Sequence, residues 1–242
     1  MPDAIFADSR LAQIYDEFEG DRTDLLPYVA LTEDLNAESV LDIGCGTGSL
    51  AVMLARSGRT VVAVDPAEAS LAVAKTRQAP PGITWLHGAA TDVPELYADL
   101  AVMTGNVAQV FVSDDEWAEV LDAVHRALRP GGYFVFETRR PDRRAWEDWA
   151  RQSEPVVREL HDIGRVERRL EVIAVRMPLV SFRHTYTFAA DGAVIESNST
   201  LRFRERTEVE ANLTAHGYRV REVRDAPDRP GRELVFIAEK AL

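Results

Sequence analysis

The sequence predicts an α/β fold: a seven-stranded mixed sheet, parallel over most of its width and covered by helices on both faces, with an antiparallel β-rich insertion after the fifth strand. Three observations predict it. Between about residues 40 and 138, short apolar runs (SVLDI, TVVAVD, ITWLHG, ADLAVM, YFVFET) alternate with helical patterns, and strands apolar on both faces belong to a buried parallel sheet. The stretch VLDIGCGTGSLAVML, residues 40 to 54, breaks from strand into three glycines and resumes as helix. After about residue 140 the period changes to two, the signature of half-buried antiparallel strands.

The elements follow in order from local signals. IYDEFEGDRTDLLPYV (14 to 29) reads as an amphipathic helical segment. A helix runs from Ser49 to about Ser57, and AEASLAVAKTRQ (67 to 78) makes the next, closed by the turn signal APPG before ITWLHG. DDEWAEVLDAVHRALRP (114 to 130) is amphipathic, with Pro130, Gly131 and Gly132 expected to stop it before YFVFET. RRPDRRAWEDWARQ is a polar helix carrying Trp146 and Trp149. In FRHTYTF, Phe182, His184, Tyr186 and Phe188 share one face, and Asp191-Gly192 signals a two-residue hairpin. The returning strand sets Ile195, Leu201 and Phe203 on one face. A helix near 207 to 216 stops at HGY, and strands follow near YRVREV and ELVFIAEK.

Composition narrows the partners. The 242 residues hold 40 acidic and 28 basic side chains, a net charge of −12, which repels nucleic acid phosphates and anionic membrane surfaces. Neither is expected as a partner. Cys45 is the single cysteine, which leaves no intramolecular disulfide and no cysteine cluster for zinc. The opening MPDAIFADSR lacks the layout of a signal peptide. A cytoplasmic protein is expected, monomer or homodimer. No metal is expected, since His87, His125, His161 and His216 share no ligand spacing.

Gly44, Gly46 and Gly48 each weaken regular structure, so the junction needs a reason. A tight turn explains one or two of them. A ligand lying against the backbone at the C-terminal edge of a parallel sheet explains all three. The spacing departs from the dinucleotide fingerprint, which has its third glycine where Ser49 stands here. With Asp42 two residues ahead, LDIGCGTG resembles the first motif of the class I S-adenosylmethionine-dependent methyltransferases. The resemblance implies a Rossmann-like class I fold and S-adenosylmethionine as cofactor, with Asp42, Gly44, Cys45, Gly46 and Gly48 around its methionine part. Asp65, ending the next strand with Pro66 after it, is placed to accept bonds from ribose hydroxyls or to cap the following helix.

Further segments extend the likeness. LHGAATDVP sits where the family often has Gly-Asp-Ala, with Ala89 in place of the acid, so Ala90, Thr91 and Asp92 are left to meet the adenine. ADLAVMTGNVAQVF resembles the fourth-strand motif, whose end, at Thr104, lies beside the transferable methyl; LRPGGYFVFE resembles the approach to the fifth strand. Similar proteins carry a Tyr-Asp segment that closes over the cofactor, which makes Tyr15 and Arg22 candidates for the methionine carboxylate, an ordinary solvated helix being the other reading. The chain then divides into 1–139, the N-terminal helix and cofactor-binding half of the core; 140–205, an inserted substrate lid; and 206–242, the last helix and two strands.

The implied reaction is in-line methyl transfer to a nitrogen or oxygen of a small molecule, a chemistry that rests on alignment and exclusion of water. His184 and Glu137 are the candidate catalytic bases; a packed core histidine and a capped strand end are the alternatives. The insertion offers Phe182, His184 and Tyr186 with Glu196, Asn198 and Thr200 across the hairpin as acceptor-selecting residues. A nicotinamide-dependent oxidoreductase and a non-catalytic S-adenosylmethionine-binding module are the competing functions.

Overall fold

The computed structural model describes residues 1–152 and 154–241. Three N-terminal helices, α1 (Ala4–Ala7), α2 (Ser9–Glu19) and α3 (Leu26–Asp34), precede the core. The core runs β1 (Ser39–Ile43), α4 (Ser49–Arg56), β2 (Thr60–Asp65), α5 (Glu68–Thr76), β3 (Ile83–His87), β4 (Ala98–Met103), α6 (Asp114–Ala127) and β5 (Leu128–Arg139). The insertion holds α7 (Ala145–Arg151), β6 (Val156–Leu160), β7 (Gly164–Arg176), β8 (Leu179–Phe188) and β9 (Val194–Arg202), and the chain returns to the core through α8 (Arg206–Ala215), β10 (Tyr218–Asp225) and β11 (Glu233–Lys240).

The core sheet has seven strands in the order β10-β11-β5-β4-β1-β2-β3. β1 to β5 are parallel to one another, and β11 runs antiparallel to both β5 and β10. Because β1 leads to β2 on one side while β4 lies on the other, the strand order reverses at β1, the place where open α/β sheets bind ligands. Alternation along each strand builds two cores. Leu41, Met103 and Phe136 pack on Trp117 and Leu121 of α6, whereas Val40, Val102 and Val135 pack on Tyr28 of α3 and Leu54 of α4. Ser113 and Glu116 close a capping box on α6, each accepting the other's amide at 3.1 Å, which satisfies two of its unpaired N–H groups.

Two turn expectations need correction. α6 ends at Ala127, ahead of Pro130, Gly131 and Gly132, and these three lie inside β5. Ala98 of β4 pairs with Leu128 and Leu100 with Tyr133, so the intervening residues bulge out, where Pro130 has no ladder bond to lose. The β8–β9 hairpin has four residues rather than two: Phe188 donates to Ala193 at 2.9 Å, and Gly192 takes the left-handed conformation at φ 72°.

The insertion is an antiparallel sheet in the order β6-β7-β8-β9. Part of its inner face rests on the N-terminal helices. Leu160, Val166, Tyr186 and Phe188 pack on Ile5, Leu11, Ile14 and Phe18 of α1 and α2. Polar bonds pin the same layer from both sides: the Ile5 amide donates to Ser197 Oγ at 2.8 Å, and Ser70 Oγ of α5 donates to the Phe6 carbonyl at 2.9 Å. The N-terminal helices are therefore the shared wall of core and insertion.

Candidate active site

The glycine loop leaves β1 and is tied back to β2, with the amides of Gly44 and Cys45 donating to the Val64 carbonyl at 2.9 and 3.2 Å. Gly46 and Gly48 both have positive φ but differ in surroundings. A Cβ on Gly48 would lie 2.5 Å from the Trp85 ring, so this glycine lets α4 pack against β3. A Cβ on Gly46 would meet nothing within 4 Å. Gly46 borders open space at the mouth of the sheet.

Two acids stand behind that opening. Asp65 joins the loop to the next helix: its Oδ2 accepts from the Gly46 amide and its Oδ1 from the Ala67 amide, both at 2.8 Å. Burial holds its carboxyl above the ordinary range even so. Asp42 is 1% exposed, and its Oδ2 has no hydrogen-bond partner. Burial, and then the charge of Asp65, push Asp42 up to about 7, while Arg22 pulls the other way. Burial, and then Asp42, raise the Cys45 thiol as well. A loop with side-chain-free space in front of two under-compensated carboxylates suits a cationic ligand that brings hydroxyl donors.

The N-terminal segment closes on this loop. Thr47 Oγ1 donates to Asp16 Oδ1 at 2.8 Å, and Arg77, just past α5, bonds to Asp16, to the Thr47 carbonyl and to Ser49 Oγ. Tyr15 packs on Phe6 with ring centroids 5.5 Å apart, and burial, then Glu19, raise its hydroxyl. Arg22 has φ 56° and grips Asp24 with two bonds of 3.2 Å, its charge felt at both Asp42 and Tyr15.

At the end of β4, Gly105 and Asn106 have positive φ, and their successive amides both donate to Glu137 Oε1, at 2.7 and 3.3 Å. Tyr28 donates to the other oxygen. Glu137 thus anchors the turn that follows Thr104, and both its oxygens are engaged. Asn106 gives its Nδ2 to Glu233 at 3.2 Å and leaves a buried Oδ1 unpartnered. His184 lies between Phe182 and Tyr186, at 5.5 and 6.2 Å between centroids, with a buried, unpartnered Nδ1. Burial, then the charge of Arg168, push it down to about 4. Opposite Phe182, His184 and Tyr186 on β9 stand Ser199, Ser197 and Ile195. Glu196, Asn198 and Thr200 face solvent beside Thr185, Arg183 and Ser181 and share no face with His184, a correction to the expected pocket.

Known proteins show the same construction. The profile of a family described as "Methyltransferase domain" matches residues 40–132, which span the glycine loop, Asp65 and β4. This matched segment, residues 40–132, is similar to a methyltransferase domain. A ubiquinone biosynthesis O-methyltransferase of Pseudomonas syringae pv. tomato is 34% identical over 111 residues, 43% of this chain and 46% of the relative. The chain spans about half the length of the curated relatives it matches. Among solved structures, the CcbJ methyltransferase from Streptomyces caelestis superposes with a TM-score of 0.78 over 98% of both chains at 21% identity. The sugar N-methyltransferase KedS8 from Streptoalloteichus sp. ATCC 53650 does so with 0.76 over 94% of this chain and 93% of its own, at 18% identity. At these identities the likeness is one of fold, and it extends through the insertion.

Within residues 40–132, Asp65 holds the Gly46 amide and its charge, like that of Arg22, is felt at Asp42; Tyr15 lies on α2 and Arg22 just beyond it. In the segment after β3, Asp92 accepts from the Ala89 amide at 2.8 Å; Thr91 and Asp92 are exposed, Ala90 is buried, and Pro66 is exposed with its carbonyl 3.2 Å from His87 Nε2. Sequence reading missed Asp16, Thr47 and Arg77. Asp16 sits in the Tyr-Asp pair already singled out, but nothing local reveals that Arg77, 61 residues on, meets it. Among the described residues, no helix is long and apolar enough to span a membrane, and no three His, Cys, Asp or Glu side chains gather as a metal-binding group.

Proposed function

We propose that the protein moves the methyl group of S-adenosylmethionine onto an amine nitrogen of a small molecule. The observation that carries this reading is the open space at Gly46, whose amide is held by Asp65, in a loop that also buries Asp42 with its Oδ2 unpartnered. The bound cofactor supplies an electrophilic methyl on a cationic sulfonium. Gly44, Cys45, Gly46 and Gly48 would carry its methionine part and Asp65 its ribose. Ala90, Thr91 and Asp92 would flank the adenine, and Tyr15 and Arg22 would meet the carboxylate end. Asp42 and Asp65 balance positive charge. The Asp16–Arg77–Thr47 contacts hold α2 over the loop and keep water out.

The choice of nitrogen rests on what the acceptor side lacks. A hydroxyl usually calls for a base tuned near the working pH, whereas Glu137 is engaged at both oxygens and His184 binds protons weakly. A neutral amine attacks with its own lone pair. Its N–H groups suit unpartnered acceptors such as Asn106 Oδ1 and, with the ring proton on Nε2, His184 Nδ1. The sugar N-methyltransferase among the fold neighbours supports the same reading, and the O-methyltransferase relative, matched over half its length, supports the alternative hydroxyl acceptor. We place the reaction in the cytoplasm, where a lone thiol such as Cys45 stays reduced. The test is incubation with methyl-labelled S-adenosylmethionine and matched pairs of small amines and alcohols. Label should enter amines; label in hydroxyls alone overturns the choice of acceptor atom.

A further inference from the structure

Two residues beyond Glu137, the same face of β5 presents Arg139, and around it opens a second cavity of about 210 Å³ that shares no residue with the glycine loop. Its walls include Arg139, Arg143, Arg229, Arg232, Trp149 and Glu233. Four arginines and one acid thus line it, in a protein whose net charge is −12, and Asp142, Asp148 and Asp228 also pair with these arginines. Glu233 is divided among Arg229 at 2.8 Å, Asn106 at 3.2 Å and Arg139 at 3.6 Å. Arg229 also meets Asp228 at 3.2 Å, Arg232 meets Asp148 at 2.8 Å, and Arg143 meets Asp142 at 3.9 Å. Arg139 also donates from Nη1 to Gln109 Oε1 at 3.1 Å; each guanidinium carries five N–H donors, so among the described residues these contacts leave most donors unpaired. The Arg139 guanidinium stacks 5.3 Å over the Trp149 ring, which holds its fork in place.

We propose that this pocket binds a phosphate or carboxylate group carried by the methyl acceptor, an inference that rests on the methyltransferase reading above. The volume suits one anionic group, being below the roughly 300–1,000 Å³ of a site for a whole drug-sized ligand. Planar forks with spare donors match the oxygen geometry of phosphate and carboxylate. The position fits an acceptor that reaches both sites: two residues of strand separate Arg139 from Glu137, about 7 Å, and Glu137 organises the turn after Thr104. Trp149 packs on Phe182 of the insertion at 5.1 Å, and Phe182 on His184 at 5.5 Å, so one aromatic row joins the arginine pocket to the lid.

Two measurements test this, the first without turnover. Inorganic phosphate, titrated calorimetrically at constant ionic strength, should bind the whole protein, and the double variant Arg143→Gln/Arg232→Gln should weaken that binding at least tenfold while affinity for S-adenosylhomocysteine stays the same. Both side chains are largely exposed, so folding should survive. Absence of phosphate binding, or binding indifferent to the double variant, overturns the site. The second measurement compares amines with and without a phosphate or carboxylate substituent. The anionic amine should show a KM at least tenfold lower, lost in the double variant, with inorganic phosphate competing against it; the phosphate and carboxylate arms tell which group is read. Phosphate that binds without competing overturns the assignment to the acceptor. Arginine-dependent phosphate binding without methyl transfer to any amine would instead leave an anion site and remove the methyltransferase reading beneath it.

Discussion

Replacing Asp42 with Asn removes a charge that the fold pays to bury, and the consequence depends on pH in a calculable way. The unfolded chain loses this proton near 3.8, whereas the folded protein keeps it to about 7. Between those values the folded state binds more protons, so Asp42 lowers stability as pH rises through the window. At pH 8 the gap corresponds to roughly 4 kcal/mol of stability lost, and at pH 5.5, where the folded carboxyl is still mostly protonated, to about 2 kcal/mol. Asp42→Asn should therefore gain about 2 kcal/mol more over wild type at pH 8 than at pH 5.5. That is roughly 4–8 °C in melting temperature for a domain of this size. Unfolding by heat or urea at both pH values, on ligand-free protein, reads it. The same titration should govern the cofactor: a cationic ligand favours the charged carboxylate, so wild-type affinity for S-adenosylmethionine should rise as pH passes 7, and the Asn variant should bind more weakly with a flatter profile. A variant-to-wild-type stability difference that is equal at the two pH values refutes the assignment of a strained, buried charge to Asp42.

Gly46→Ala should cost about 1–2 kcal/mol of stability for a left-handed alanine and lower affinity for S-adenosylhomocysteine at least tenfold, because its methyl projects into open space; calorimetry showing unchanged affinity would mean that the space is not the cofactor's. Asp65→Ala should weaken cofactor binding by ~1–3 kcal/mol, and an unaltered Kd would show that the carboxylate only ties Gly46 to Ala67. Arg77→Ala should change global stability by about 1 kcal/mol or less, its contacts being partly exposed, while hydrogen exchange in α2 and cofactor dissociation should both quicken; unchanged exchange would refute the clasp. His184→Asn should reduce turnover with cofactor affinity preserved and no change in the pH–rate profile between 5.5 and 8, since the ring is already neutral there with its value near 4; loss of a limb near 6.5 would make it a titrating base after all.

What the sequence by itself determined is the part of the molecule built from local order. The five parallel strands were legible because burial on both faces leaves no room for polar alternation, and the glycine junction because Gly44, Gly46, Gly48, Asp42 and Asp65 lie within one β-α-β unit whose geometry follows from chain order. The tertiary structure decided everything that depends on register or on contacts between distant segments. Which residue stands opposite His184 follows from the turn length: four residues rather than two bring Ser197 instead of Ser199 there, while Glu196, Asn198 and Thr200 stay on the solvent face with either turn. Glu137 was visible as an acid at a strand end, but its partners Tyr28 and Gly105 come from α3 and the turn after β4, 109 and 32 residues away. The arginine pocket gathers Arg139 and Arg143 with Arg229 and Arg232 across the whole insertion. In the sequence each of these arginines sits among acids and reads as a solvated surface charge. Only packing shows that one carboxylate, Glu233, is shared by two of them, Arg139 and Arg229, because charge balance is settled by distance in space and not by distance along the chain.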